Sequence, residues 1–490
     1  MRYPHDIGWF LCHPHPARRF LMSPFLLVLL GMAIVLGGVL VFKLHAFLAL
    51  IIAAIVVAAL TPHDVLVAQK LGDVHIAQRV AEGFGNTCVD IGILIALAAI
   101  IGECLLASGA AERIVRSTLR VLGEKRAPTA FLGSGFLLGI PVFFDTVFYL
   151  LIPLAKAMRI RTGKHYLLYV LTIVAGATMT HSLVPPTPGP LYAASAFKVD
   201  VGMMILGGLI VGAITVCAGY AYAVWADKKW DIPLRDTAEG SVGDLKAHAE
   251  KDDASLPPLW LSLLPILLPV LLIAGSAVVE AYHKSLGEGE SLSGWVDAIR
   301  PSLLLLGNKN MAILIAALIA MATMAHFKKD EKGAVNKTVN AALTSGGMVI
   351  LITAAGGAFG AILRQTGIAT DIQNMAQGWH FAVLPLAFLV TTMVRTAQGS
   401  ATVAMITAAA IFAPMAEGGS LSFHPLYLAL AVGCGSKPIM WMNDSGFWVI
   451  TKMSGLKESE TLRTATVMML IMGLTGLVVV TIAALVLPMK

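Results

Sequence analysis

Charge is scarce in this chain. Only 13% of its 490 residues are Asp, Glu, Lys or Arg, about half the roughly 25% usual for soluble domains. Hydrophobic residues make up 57%, and the mean hydropathy is +0.80. Together these exclude a soluble globular domain and a disordered chain, and indicate a polytopic membrane protein. Cysteine is sparse as well: five residues, at 12, 88, 104, 217 and 434, an odd number without metal-ligand spacing. That excludes a disulfide scaffold and a zinc site and leaves packing as their role. There is no Walker motif, no His-Glu-x-x-His and no nucleophile–base constellation, so ATP drive within the chain and an enzyme are not expected, nor is a cofactor or metal. Gly356-Gly357-Ala-Phe-Gly360 lies inside an apolar run with no strand before it. It therefore reads as a close helix-packing patch rather than a dinucleotide fingerprint. The net charge of +6 resides in short loops between apolar runs, where it orients spans and implies no nucleic-acid partner.

What is present is a series of charge-free runs. Residues 1–21 form an N-terminal tail. The run over 21–42 is too long for a signal-peptide core and lacks a cleavage site, so it is expected to be the first transmembrane helix. Expected spans are 25–42, 47–60, 88–107, 165–196, 201–226, 256–279, 301–326, 338–363, 424–451 and 464–488. The basic stretch 113–126 is expected along the membrane surface. A charged segment, 227–255, divides a first transmembrane repeat (22–226) from a second (256–490).

Two runs behave differently. Between 128 and 164 an apolar segment is flanked by Arg113, Arg116, Arg120, Lys125 and Arg126 on one side and Lys156, Arg159, Arg161 and Lys164 on the other. Short basic loops stay cytoplasmic, so both ends belong on one side, with Gly139, Pro141 and Asp145 between them. Such a segment reads as a re-entrant hairpin. Broken backbone at membrane depth persists only where protein or a water-filled cavity satisfies it, and in secondary transporters such breaks form substrate sites. The run 381–415 has no Lys or Arg in its flanks at 365–380 and 417–424, and reads as a second hairpin opening to the opposite side.

Internal similarity supports the pairing. Gly102–Gly109 resembles Gly360–Gly367, Asp145-Thr-Val147 resembles Ala401-Thr-Val403, and Thr187-Pro-Gly189 resembles Asp444-Ser-Gly446, all at nearly one offset. The expected fold is all-α and polytopic, with two inverted-topology repeats, each holding a re-entrant hairpin and a broken transmembrane helix.

Polar groups concentrate at these breaks. A carboxylate at mid-membrane costs about 2.5–3.5 kcal/mol by insertion scales, so Asp145 is a candidate proton carrier facing a cavity, with Asp444 as the second. Thr146 lies beside it. Residues 180–190 cannot form continuous helix, because proline removes donors and clashes with preceding carbonyls. Unwinding there frees a half-helix N-terminus that favours an anion, with His181, Ser182, Thr187 and Gly189 at hand. In the second hairpin Arg395 can pair with a carboxylate, Gln398, Ser400 and Thr402 can pair with hydroxyls, and Gly399 permits close approach. Lys437, Asn443 and Asp444 occupy the second broken span, where Lys437 and Asp444 are expected to form an ion pair with each other or to meet substrate. Asp90 and Glu103 are weaker candidates.

At these residues the chain resembles the gluconate permease family, gluconate:proton symporters of the ion transporter superfamily. The matching stretches are Gly-Ile-Pro-Val-Phe-Phe-Asp145 through Pro153, Thr180-His181 with Pro185-Pro186 and Pro188-Gly189-Pro190, Gly399-Ser-Ala-Thr-Val403, and Asn443-Asp444 with Gly446-Phe-Trp448. The similarity covers nearly everything after Met22. It implies scaffold and transport domains, a homodimer in the inner cell membrane, an elevator-like movement of the site, and a small hydroxycarboxylate such as a sugar acid carried with protons. The departures fall in the site. The family pattern has Glu at Asp145, His at Thr187, Leu near Gln398, an apolar residue near Lys437 and Pro at Ser445, while Arg395 matches. Positive charge is thus expected on a different wall of the pocket. Two other readings are a sodium-coupled carboxylate carrier of the same superfamily, which needs clustered oxygens such as Ser400 and Thr402, and a channel or membrane sensor.

Overall fold

The computed structural model describes residues 23–235, 256–285, 294–329, 333–367, 382–417, 421–442 and 444–489, and among them every regular element is helical. The first half holds α1 (Pro24–Leu40), α2 (Ala46–Leu60), α3 (Ile76–Ala107), α4 (Ala110–Leu122), α5 (Ala127–Leu138), α6 (Phe144–Thr162), α7 (Tyr166–Leu183), α8 (Pro188–Ala196) and α9 (Val201–Lys229). The second holds α10 (Leu259–Ser285), α11 (Gly294–Leu306), α12 (Lys309–Phe327), α13 (Ala334–Gln365), α14 (Val383–Gln398), α15 (Ala401–Glu417), α16 (Pro425–Gly435), α17 (Ser445–Ser454) and α18 (Glu458–Val486). Among the described residues, seven segments are long and apolar enough to cross a membrane.

The starts of several helices follow from local chemistry. Ser23 Oγ accepts from the Leu26 N–H with Pro24 in the first turn. Asp200 accepts from the Met203 N–H at 3.0 Å to open α9, as N-cap side chains do. The helix α4 turns Ala110, Ala111, Ile114 and Val115 inward and keeps its arginines at the rim, the pattern expected of a surface helix.

Two expected spans are redrawn. The third begins at Ile76, twelve residues before Cys88, and runs through a π-helical turn at Cys88–Gly92. The charge that masked this start, Arg79, is itself buried at 2% exposure. Its guanidinium donates from the two terminal nitrogens to the Ala58 carbonyl at 2.8 Å and to Gln365 Oε1 at 3.1 Å, which holds it inside protein. The expected span 301–326 is two helices, α11 and α12, parted at Gly307-Asn308, where Asn308 Oδ1 accepts from the Asn310 N–H.

Helix boundaries recur between the halves. The step from Val201 to Glu458 and from Lys229 to Val486 is the same 257 positions, and both helices have 29 residues. From Ile76–Ala107 to Ala334–Gln365 the step is 258, with 32 residues each. The counterparts pack in matching ways: α3 against α13, α9 against α18, α5 on α7 and α14 on α16. Contact between α5 and α7 is backbone to backbone. A Cβ on Gly176 would stand 2.3 Å from the Leu132 carbonyl oxygen, so only glycine fits there. Beyond α9, Arg235 clamps the second half by donating to both carboxylate oxygens of Glu460, at 2.7 and 2.8 Å, and to the Gly455 carbonyl. The rest of the polar segment, 236–255, lies outside the described residues.

Candidate functional site

The helices α5 and α6 are joined by the short turn Gly139–Phe143. At about 1.5 Å per residue the twelve-residue α5 is roughly 18 Å long, too short to cross a hydrocarbon core of about 30 Å. Its turn therefore lies inside the protein, and Asp145 stands in the first turn of α6. The second pair, α14 and α15, turns at Gly399, whose φ of +76° sets the left-handed conformation that glycine adopts without a steric penalty. The Gly399 N–H donates to the Arg395 carbonyl at 2.8 Å, and Ser400 Oγ accepts from the Val403 N–H at 3.3 Å. The chain thus reverses at Gly399 with its tip facing inward.

Both broken helices meet these turns. The helix α7 ends at Leu183, with Val184 extended, and α8 starts after Thr187, whose hydroxyl donates to the Val184 carbonyl at 2.7 Å. The helix α16 ends at Gly435, and α17 starts after Asp444, which caps it by accepting from the Gly446 N–H at 2.7 Å.

These four elements enclose a cavity of about 250 Å³. Asp145 and Phe143 line it from the first hairpin, His181 and Thr178 from α7, Arg395, Gly399, Ser400 and Thr402 from the second hairpin, and Lys437, Asp444 and Ser445 from the second break. The opposite wall is apolar: Val349 and Ile352 of α13, with Ile406, Met440 and Met469. Volume and lining suit a small polar solute, since ligand sites combine apolar walls with a few convergent polar groups.

The electrostatics are specific. Arg395 and Asp444 form an ion pair, each with 6% side-chain exposure. Of the two expectations for Lys437, an ion pair with Asp444 or contact with substrate, the first is not formed: its Nζ donates to the Thr178 carbonyl at 2.7 Å. The break turns Asp444 back toward α14, so its partner comes from a different helix rather than from the neighbouring chain. Asp145 has no ion-pair partner among the described residues. His181 sits edge-on to Phe143, with ring centroids 5.8 Å apart, and its Nδ1 has no hydrogen-bond partner among the described residues.

Of the residues singled out from sequence, eight lie on the cavity: Asp145, His181, Arg395, Gly399, Ser400, Thr402, Lys437 and Asp444. Four stand behind it. Thr146 is half-buried on α6, and Ser182 is buried with an unpartnered hydroxyl. Thr187 is spent on the Val184 carbonyl. Gly189 makes room for Met405 of α15, whose Sδ would lie 2.8 Å from a Cβ there. Asn443 and the side chain of Gln398 fall outside the described residues. Asp90 and Glu103 also lie off the cavity: Asp90 accepts from Ser195 Oγ at 3.2 Å.

Sequence reasoning missed Thr178, Phe143 and the apolar wall, whereas Ser445, named among the departures from the family pattern, does line the cavity. Thr178 was findable, because it precedes His181 by three positions and shares its helix face. Val349 and Ile352 were not, because they belong to an unbroken apolar run.

The comparisons with known proteins agree with this architecture. The family model described as GntP family permease matches residues 23–486. An uncharacterized permease of Haemophilus influenzae is 34% identical over 451 residues, covering 91% of this chain and 87% of the relative. A gluconate permease of Pseudomonas aeruginosa is 32% identical over 469 residues, covering 96% and 98%. Among solved structures, the Neisseria gonorrhoeae antimetabolite efflux pump MtrF superposes with a TM-score of 0.63 at 14% identity, covering 93% of this chain and 98% of that one. That last likeness bears on the fold alone. With a family match from the first helix to the last, the chain belongs to the GntP family of permeases and is a multi-pass membrane transporter.

Proposed function

We propose that this permease takes up gluconate or a related small hydroxycarboxylate together with a proton. The observation that carries the reading is the composition of a single cavity. It joins an unpaired carboxylate (Asp145), a lysine, an arginine–aspartate pair and the hydroxyls of Ser400 and Thr402. Its fixed charges cancel. Arg395 offsets Asp444, and Lys437 offsets Asp145. A monoanionic substrate adds one negative charge, and one proton on Asp145 removes one, so the loaded site is as neutral as the empty one. Neutrality matters because an uncompensated charge is expensive in a low-dielectric barrier. The hydroxyl-rich tip and the gluconate permeases among the relatives support a sugar acid as cargo.

The matching helix boundaries support two repeats of inverted topology, each with a re-entrant hairpin. The hairpins and broken helices would then move as a transport unit against a scaffold containing α3 and α13, in a homodimer. Uptake of labelled gluconate into proteoliposomes under an imposed inward proton gradient, without sodium, tests the reading, with glycerate and other sugar acids as competitors. Gradient-dependent accumulation is expected, and Asp145→Asn should abolish accumulation while leaving exchange. Uphill uptake by Asp145→Asn would remove Asp145 from coupling, and uptake that requires sodium would end the proton assignment.

A further inference from the structure

The two cations on the cavity are not equivalent. Arg395 reaches from the end of α14 into an ion pair with Asp444, and that aspartate is held in place by capping α17 through the Gly446 N–H. The arginine's charge is therefore met by a fixed carboxylate that cannot leave without uncapping a helix. Lys437 is 1% exposed. Its Nζ donates to one neutral acceptor, the Thr178 carbonyl, at 2.7 Å. No carboxylate oxygen of a described residue lies within the 4.0 Å of an ion pair. An ammonium has three donors, so two remain to be directed elsewhere. Lys437 is itself a cavity-lining residue.

The charged and titratable groups around it are Arg395 from α14, Asp444 from its own break, His181 from α7, Asp145 from α6 and the Cys434 thiol from α16. None of these is an ion-pair partner to Lys437. A buried cation whose offsetting carboxylate stands beyond ion-pair distance is costly, and an anionic ligand in direct contact relieves it. An arginine already neutralised by aspartate gains far less from the same ligand.

We propose that Lys437, and not Arg395, receives the substrate's carboxylate, so that the site selects acids carrying one negative charge. This assignment rests on reading the cavity as the transport site and adds the orientation of the cargo. The acid end lies toward Lys437 and the Thr178 carbonyl, and the hydroxylated end lies toward Ser400 and Thr402 on the second tip. Arg395 becomes a positioning residue that fixes Asp444 and closes the turn at Gly399.

The test compares each acid with its neutral carboxamide, gluconate with gluconamide and glycerate with glyceramide, as competitors for binding to the purified full-length protein. Wild-type protein is expected to prefer acid over amide at least roughly tenfold, the scale of a charge-assisted hydrogen bond. Lys437→Gln keeps a donor for the Thr178 carbonyl but removes the charge. It should bring the two ligands within about threefold of each other while still binding the amide. Lys437→Arg should keep the acid preference. A Lys437→Gln protein that binds both ligands and still prefers the acid tenfold would overturn the assignment. If the Gln variant fails to fold, Lys437→Arg decides, because loss of the acid preference in the presence of a retained charge would equally contradict a counter-ion role. Wild-type protein that binds none of the acids would end the hydroxycarboxylate reading, and this assignment with it, which is a separate outcome from the first.

Discussion

The two hairpin tips hold equivalent places in the chain, yet they differ in chemistry and in the level at which they meet the long helices. Around the first tip Ile140, Pro141 and Val142 are buried among apolar neighbours. Around the second, Gly399 and Ser400 border the polar cavity. On α3, a Cβ at Gly102 would stand 3.2 Å from the Pro141 carbonyl oxygen, at the tip itself. Its counterpart on α13, Gly360, instead faces Ala410, with a Cβ 3.1 Å from the Ala410 Cβ and nine residues inside α15. Once the repeat offset is removed, the two hairpins are displaced along their partners by about a dozen residues, roughly 15–18 Å of helix. The chain is symmetric in its boundaries and asymmetric in its packing: α15 lies along α13, whereas α6 makes no comparable contact with α3. If the hairpins move as a transport unit, as proposed above, this is the arrangement expected at one end of the stroke, and the stroke would exchange the two levels.

The largest expected effect comes from breaking the charged side of this comparison. Arg395→Met strands Asp444 without its counter-ion. It should cost about 3–5 kcal/mol, the price of opening a buried ion pair, and abolish transport. The detergent-solubilised protein should melt well below wild type, and an unchanged melting temperature would mean that the pair contributes little to this fold. A second experiment addresses the displacement. In a chain whose own cysteines are replaced, Gly102→Cys with Pro153→Cys should cross-link only when the unit has moved to the other level, and reduction should restore transport. Absence of a cross-link under every gradient would refute the exchange of levels. The smallest effects separate the tips. Gly139→Ala places a Cβ 2.4 Å from Thr180 Oγ1 and 2.7 Å from the Ala177 carbonyl oxygen. Such overpacking should cost about 1–3 kcal/mol and leave KM near wild type. Ser400→Ala removes the acceptor of the Val403 N–H, which should cost about 0.5–2 kcal/mol as a lost helix cap does, and should raise KM by roughly two- to tenfold, as one hydrogen bond to substrate would. Melting curves and uptake kinetics on the two variants check the contrast, and an unchanged KM at Ser400 would erase it.

Much of this was legible because the site is where the chain breaks membrane rules. Asp145, Arg395, Lys437 and Asp444 are charges at depth, and Gly139, Pro141, Pro185, Pro186 and Gly399 interrupt helices there. Each costs free energy unless something local repays it, so each marks itself. The start of α3 was hidden for the same reason in reverse: Arg79 is a buried charge whose terminal nitrogens are met by protein carbonyl and amide oxygens, so a charge-free window stopped short of it. Which carboxylate Arg395 would find was not legible, because it depends on how a break redirects Asp444 across to another helix, and periodicity along one helix carries no such information. The apolar wall from α13 left no mark either, since Val349 and Ile352 look like any lipid-facing pair.

Calorimetric titration of gluconate into the purified protein, in buffers that differ in ionisation enthalpy, would count the protons taken up with each substrate and so test the shared cavity most directly. Uptake near one proton per gluconate in wild type, and none in an Asp145→Asn variant that still binds, is the predicted result. Binding without proton uptake in wild type, or undiminished uptake in Asp145→Asn, would contradict the coupling of anion and proton at this site.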